Sequence, residues 1–260
     1  MTPFSEALGA PEVLQHSALA GAPHGFLGRK GGVSEGLLAG LNVSFAEDAP
    51  ISTAENRTRA VASVLPGAQL VCAYQIHSPN VVTVSQPWAD SDRPKADALV
   101  TDRPGLLLGI LTADCAPVLF HDAQAGVVGA AHAGWRGAFT GVTDRTVEAM
   151  EALGANRARI AAVIGPCIAQ KSYEVDAAFE QQFVEAAPEN ERFFKAGREG
   201  HAWFDLEGYL AARLSGFGVG TVAMLGEDTY QQEQRFYSFR RATHRSEPGY
   251  GRQISLIGLR

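Results

Sequence analysis

Cysteine is scarce in this chain: three among 260 residues, Cys72, Cys115 and Cys167. That is too few for a disulfide framework, and an odd count suits a reducing, cytoplasmic compartment. No apolar run approaches the roughly 18 residues that a membrane helix requires. The opening stretch, MTPFSEALGAPEVLQHS, has no basic segment followed by an apolar one, so no signal peptide is expected. Runs of like charge are missing as well. Lys and Arg number 22 against 28 Asp and Glu, a net charge of −6, which argues against a polyphosphate-binding face and favours a small or neutral ligand. No basic patch interleaved with aromatics is present, so no nucleic-acid partner is expected. Neither a GxGxxG after a strand-like run nor a Walker pattern occurs. A globular chain, neither secreted nor membrane-bound, is what these absences leave.

What is present is a hydrophobic fraction of 46%, enough to bury a large core, arranged as short β-branched or Leu-rich runs alternating with amphipathic stretches. The runs predict strands at Leu70–Tyr74, Asn80–Val84, Ala98–Thr101, Leu106–Leu111, Val118–His121, Val127–Ala131, Arg159–Ile164, Thr221–Met224 and Ile254–Ile257. Helices are predicted from about Thr53 to Val64, where Ser52 and Glu55 have capping-box spacing, and over Gly141–Leu153, ending at Gly154. Two more are predicted at Asp176–Glu185 and Asp205–Leu214. Nine strands are many for one flat sheet, so two packed sheets with helices outside them are expected. With no repeat and no low-complexity linker, residues 1–260 read as one domain.

Three polar clusters follow predicted strands in otherwise apolar, small-residue surroundings: Gln75-Ile76-His77-Ser78, Thr112-Ala113-Asp114-Cys115 and His132-Ala133-Gly134-Trp135-Arg136-Gly137. Strand ends hold the backbone rigid and let side chains converge. Any one of these residues is more often a hydrogen-bonded core residue than a ligand. Together, His77, Cys115 and His132 offer two imidazoles and a thiolate, the donors of a tetrahedral zinc site with its fourth position open. Gaps of 38 and 17 residues mean that only the fold could assemble them. The same residues also allow a metal-free Cys115–His132 nucleophilic dyad oriented by His77 or Asp114.

Gly134 and Gly137, ahead of the helix expected near Gly141, could let an anion approach backbone N–H groups, or could simply form a tight turn. Arg136 could bind phosphate or neutralise Asp114. Gly31-Gly32-Val33-Ser34 beside Arg29 reads as a hairpin turn that would also accept phosphate. Cys167 reads as a small buried hydrophobe, and Arg240-Arg241 as a surface ion-pairing segment.

Taken together, Gln75-Ile76-His77-Ser78, Thr112-Ala113-Asp114-Cys115-Ala116-Pro117-Val118, Ala131-His132-Ala133-Gly134-Trp135-Arg136-Gly137 and Ile164-Gly165-Pro166-Cys167-Ile168 resemble the signatures of the laccase-domain family. The likeness runs from His24-Gly25-Phe26 and Arg29–Ser34 to Tyr237-Ser238-Phe239-Arg240-Arg241. Members were once called multicopper polyphenol oxidases and are now regarded as zinc-dependent purine nucleoside phosphorylases with adenosine deaminase activity; one bacterial branch is called peptidoglycan editing factor. The resemblance implies an α/β fold, a four-layer α/β/β/α sandwich with mixed sheets, and makes His77, Cys115 and His132 the zinc ligands. It further implies adenosine, inosine and 5′-methylthioadenosine as substrates with phosphate as co-substrate, and zinc-activated water for attack at C6 in deamination. Arg29 and Arg136 are the sequence candidates for phosphate, and Asn42 for ribose.

Several positions depart from the common family pattern: Gly40, the Ser44–Asp48 stretch, Asp228, and the link Ala242–Gly251. They bear on substrate preference more than on the metal triad. The old oxidase label requires a blue and a trinuclear copper centre built largely from His-x-His pairs. This chain has seven histidines, none two residues from another, so a four-copper laccase is excluded, although divalent copper could occupy the zinc site adventitiously. Two other readings use the same residues: an amide hydrolase acting on a peptidoglycan precursor, and a metal- or nucleoside-binding module without turnover. Oligomeric state is not legible.

Overall fold

The computed structural model describes residues 9–46 and 48–260. Its strands in chain order are β1 (Val13–Leu14), β2 (His24–Leu27), β3 (Gln69–Cys72), β4 (Val81–Thr83), β5 (Ala98–Thr101), β6 (Leu106–Thr112) and β7 (Ala116–Asp122). They continue with β8 (Val127–Ala133), β9 (Ala161–Ile164), β10 (Glu174–Asp176), β11 (Phe194–Ala196), β12 (His201–Phe204), β13 (Thr221–Met224) and β14 (Gln253–Gly258). The α-helices are α1 (Pro50–Val64), α2 (Trp135–Thr140), α3 (Val142–Ala152), α4 (Ala177–Ala186), α5 (Leu206–Gly216) and α6 (Phe239–His244).

Two large sheets carry the architecture. One has the order β1-β2-β14-β6-β3 and the other β13-β9-β7-β8-β5-β4. Both are mixed: β3 runs parallel to β6 in the first, and β4 to β5 and β13 to β9 in the second, with antiparallel pairs elsewhere. Their inner faces share one apolar core, with Phe26, Leu108 and Ile110 from the first sheet against Leu99, Leu119, Val128 and Val163 from the second. The outer face of the first sheet packs Cys72, Leu107, Ile254 and Leu256 against Ala60 of α1. The outer face of the second packs Val118, Phe120 and Ile164 against Val147 and Met150 of α3 and Leu210 and Leu214 of α5. This is the expected α/β/β/α layering. With both faces of each sheet covered, central strands read as continuous apolar runs; all seven residues of β7 and of β8 are buried.

Each of the nine predicted strands has its counterpart, while five others are additional. The short β10, β11 and β12 form a third, antiparallel sheet, β10-β12-β11. Strands of three or four residues carry too little alternation to register as a pattern. They are held by ring packing, in which Phe183 lies 4.8–5.2 Å from Phe139, Phe179, Phe204 and Tyr209. β1 and β2 are two and four residues long; among the described strands β1 pairs only with β2, and β2 also pairs with the distant β14, so neither shows as a local pattern.

Helix boundaries shift for local reasons. α1 starts at Pro50, whose fixed φ suits the first helical position. Ser52 therefore lies inside the helix and does not cap it, and Glu55 pairs with Arg59 at 2.8 Å. The helix expected over Gly141–Leu153 is α3, and a short helix that was not expected, α2, precedes it; Gly141, at φ 92°, ends α2 and precedes α3, a conformation only glycine adopts without strain. Asp176 and Asp205 are N-caps of α4 and α5, accepting from Phe179 N and Gly208 N. None of the described helices is long and apolar enough to cross a membrane.

Candidate metal centre

β3 and β6 are parallel neighbours, so their C-terminal ends open on the same edge. Beyond β3 the chain turns through His77; beyond β6 it turns through Asp114 and Cys115 and crosses into β7 of the second sheet. There β7 meets β8, with Pro117 opposite His132 and Ala116 opposite Ala133. Cys115 is thereby carried next to Gly134. The three residues converge where the two sheets meet, and their ligand atoms lie within 4.8 Å of one another.

His77 and Asp114 are two of three described non-glycine residues with positive φ, at 59° and 82°. Such backbone costs on the order of 1–3 kcal/mol and persists where surrounding bonds impose it. Here a buried carboxylate does so at each position. Asp97, ahead of β5, accepts from the backbone N–H groups of Ile76 (3.1 Å), His77 (2.9 Å) and Ser78 (2.6 Å) and from Ser78 Oγ (2.8 Å). Its Oδ1 also meets His132 Nδ1 at 2.9 Å. One carboxylate therefore shapes the His77 turn and directs the other ring nitrogen of His132 to the cluster. Asp114 turns away from the cluster, accepting from Thr229 Oγ1, Ser238 Oγ and Arg240 N at 2.7–2.9 Å. It shapes the Cys115 turn. The orienter of His132 is thus Asp97, neither His77 nor Asp114.

Cys115 Sγ stands 3.8 Å from His77 Nε2, close to the ~3.6 Å separating a thiolate and an imidazole nitrogen on one tetrahedral zinc. The His77 and His132 rings meet edge-on with centroids 4.8 Å apart. A Cβ on Gly134 would stand 2.8 Å from Cys115 Sγ and 2.9 Å from His77 Cδ2, so the absence of a side chain there keeps the ligand cradle open. Burial works against the Cys115 thiolate, but the two imidazoles overcome it and bring the thiol down to about 6. Burial likewise opposes the His132 cation, and Cys115 and Asp97 raise it to about 9. Asp97 is held down at about 2 against its own burial, by His132 and Ser78. A thiolate at neutral pH, an oriented imidazole and a second imidazole fit a metal ion, and this group could bind one.

The cluster opens into a cavity of about 580 Å³ lined by Tyr74, Phe239 and Tyr250, by Arg57, Arg93 and Arg252, and by Gln75 and Thr112 among others. Thr112 Oγ1 is buried there without a partner. The remaining sequence candidates are not among its lining residues. Arg29 stacks on Tyr237 and donates to the carbonyls of Ala39 and Glu233. Asn42 is buried against Ser44 O, Asp48 and Arg252 N. Arg136 is exposed beside Trp135 and does not neutralise Asp114. Cys167 is a buried thiol pushed up by burial. Arg241 ties down the carbonyls of Thr229, Tyr230 and Phe236 and forms no surface ion pair among the described residues. Sequence reading missed Asp97, although an acid opening the apolar run Ala98–Thr101 was a usable signal. It also missed the cavity arginines, which come from distant segments.

Fold and cluster define an α/β sandwich with a two-histidine, one-cysteine site at the junction of its sheets. The chain belongs to the multi-copper polyphenol oxidoreductase laccase family, whose profile matches residues 23–260. It is 42% identical over 240 residues to a purine nucleoside phosphorylase of Deinococcus radiodurans, covering 91% of this chain and 89% of that one. A protein of the same name from Mycobacterium tuberculosis is 36% identical over 233 residues, 89% of each chain. Among solved structures, a Neisseria meningitidis protein superposes with TM-score 0.86 at 32% identity, covering 96% of this chain and 99% of its own. YlmD from Geobacillus stearothermophilus superposes with TM-score 0.85 at 29% identity, covering 97% of both.

Proposed function

We propose that the protein is a zinc-dependent purine nucleoside phosphorylase that also deaminates adenosine, acting on adenosine, inosine and 5′-methylthioadenosine with phosphate as co-substrate. The observation that carries the reading is the open three-ligand cluster at the floor of a cavity large enough for a nucleoside, about 580 Å³ against the roughly 300–1,000 Å³ of small-ligand sites. Relatives at 36–42% identity named purine nucleoside phosphorylase support it.

His77, Cys115 and His132 would hold the metal, which when bound supplies Lewis-acid polarisation of a substrate oxygen or water. Asp97 keeps Nδ1 of His132 engaged, so that the ring presents its other nitrogen. Tyr74 and Phe239, 53% and 50% exposed at the cavity wall, offer flat apolar faces for a purine. In phosphorolysis, phosphate attacks the anomeric carbon as the C–N bond breaks, yielding free base and ribose 1-phosphate, or 5-methylthioribose 1-phosphate from 5′-methylthioadenosine. In deamination, water adds at C6 and ammonia leaves. The free state of all three cysteines supports a cytoplasmic setting.

The test is product analysis by chromatography on zinc-loaded protein given each nucleoside with and without phosphate. Free base and the corresponding sugar 1-phosphate that require phosphate, together with inosine from adenosine, are expected, and Cys115→Ser should lose both activities. No product from any nucleoside overturns the reading, and amino acid released from a peptidoglycan precursor instead replaces it with amide hydrolysis.

A further inference from the structure

Around the metal ligands, the cavity wall carries three guanidiniums and, among the described residues, no carboxylate. In a chain of net charge −6, that local excess is the reverse of the average surface and favours an anion. Arg93 and Arg57 share Asp90: Arg93 Nε approaches it at 3.4 Å, and Arg57 Nη1 binds both its oxygens at 2.8 and 3.1 Å. Arg252 has no acid partner among the described residues. Its Nη1 donates to Ser44 Oγ at 2.7 Å and its Nη2 to Tyr250 Oη at 2.9 Å.

Arg57 Nε donates to Val43 O at 2.9 Å, so Arg57 and Arg252 are anchored to consecutive residues, Val43 and Ser44. Arg57 is only 9% exposed, and its Nη2 is buried with no hydrogen-bond partner. Leaving a buried guanidinium N–H unsatisfied is unfavourable, and an oxyanion is the acceptor that guanidinium geometry matches best.

We infer that Arg252 and Arg57 form a phosphoryl-oxyanion subsite in the same cavity as the metal ligands, with free phosphate as its occupant. The inference rests on the phosphorolysis reading for its occupant and on the arginine geometry for its location. It displaces Arg29 and Arg136, which lie outside the cavity lining, as the phosphate contacts.

Calorimetric titration of the zinc-loaded protein with inorganic phosphate, and separately with adenosine 5′-monophosphate, tests it in four forms: wild type, Arg252→Gln, Arg252→Lys and Arg136→Gln. Arg252→Gln should weaken phosphate binding about 10- to 100-fold, Arg252→Lys less, and Arg136→Gln not at all. The phosphate KM should follow the same order, with little change in the nucleoside KM. Weakened phosphate binding in Arg252→Gln, in a wild type that performs no phosphorolysis, removes the proposed function but keeps the subsite. Weakening confined to the monophosphate overturns free phosphate as occupant. Unchanged binding of both ligands in Arg252→Gln, or equal weakening in Arg136→Gln, overturns the subsite.

Discussion

Replacing Asp97 with Asn changes one atom in a side chain that is 0% exposed. Oδ1 can keep its contacts with Ile76 N, His77 N and His132 Nδ1, but an amide NH₂ then faces Ser78 N, which now donates to Oδ2 at 2.6 Å. The carboxyl is lowered from 3.8 to about 2, equivalent to about 2–3 kcal/mol of preference for the ionised form in the fold. Loss of that preference, with one backbone donor unsatisfied, should destabilise the metal-free protein by about 2–4 kcal/mol. The pH dependence has a definite sign. Because the folded value is depressed, the stabilisation is complete above about pH 4 and is lost as pH falls through about 2, so wild type and variant should converge in acid; the part of the difference that comes from the His132 cation, raised to about 9, falls away as pH rises through that value. Zinc affinity should fall about 10- to 100-fold, as the His132 ring loses its charged anchor. Urea unfolding of the metal-free forms and competition with a chromophoric chelator measure the two effects. A stability change under about 0.5 kcal/mol with unaltered zinc affinity would refute the role given to Asp97.

Gly134→Ala places a methyl 2.8 Å from Cys115 Sγ; zinc affinity should drop at least about tenfold, with a smaller stability loss of about 1–3 kcal/mol, seen in the same titration and unfolding curves. In metal-free protein Cys115 should alkylate with a midpoint near pH 6 while buried Cys72 and Cys167 stay silent; iodoacetamide labelling read by mass spectrometry checks this, and zinc should protect. Phe183→Ala removes a fully buried ring and should cost about 3–5 kcal/mol without altering zinc affinity at Cys115. Equal loss of zinc binding in that variant would mean that the aromatic layer and the metal centre are coupled.

The layering was legible because burial on both faces writes itself as apolar runs: Leu106–Leu111 and Val127–Ala131 are strands by composition alone. The cluster of His77, Cys115 and His132, which could bind a metal ion, was legible because chemically reactive residues interrupt small apolar neighbours at strand ends. Helix starts were less so, since Pro50 competes with the Ser52–Glu55 spacing and α2, six residues long, is too short to show a period.

Local sequence determined nine of the fourteen described strands, most of the α-helices and which three residues are candidate donors, since these depend on neighbours within a turn or two. Only the tertiary structure decided that Asp97 holds both the His77 turn and the His132 ring, because those bonds span 19 to 35 residues. It also placed Arg57 and Arg252 on one cavity wall, and left Arg29, Asn42 and Arg136 off it. Convergence of that kind comes from sheet pairing between strands well apart in the chain, here β6 with β14 and β5 with β8, and pairing register is not encoded in any short window of the chain.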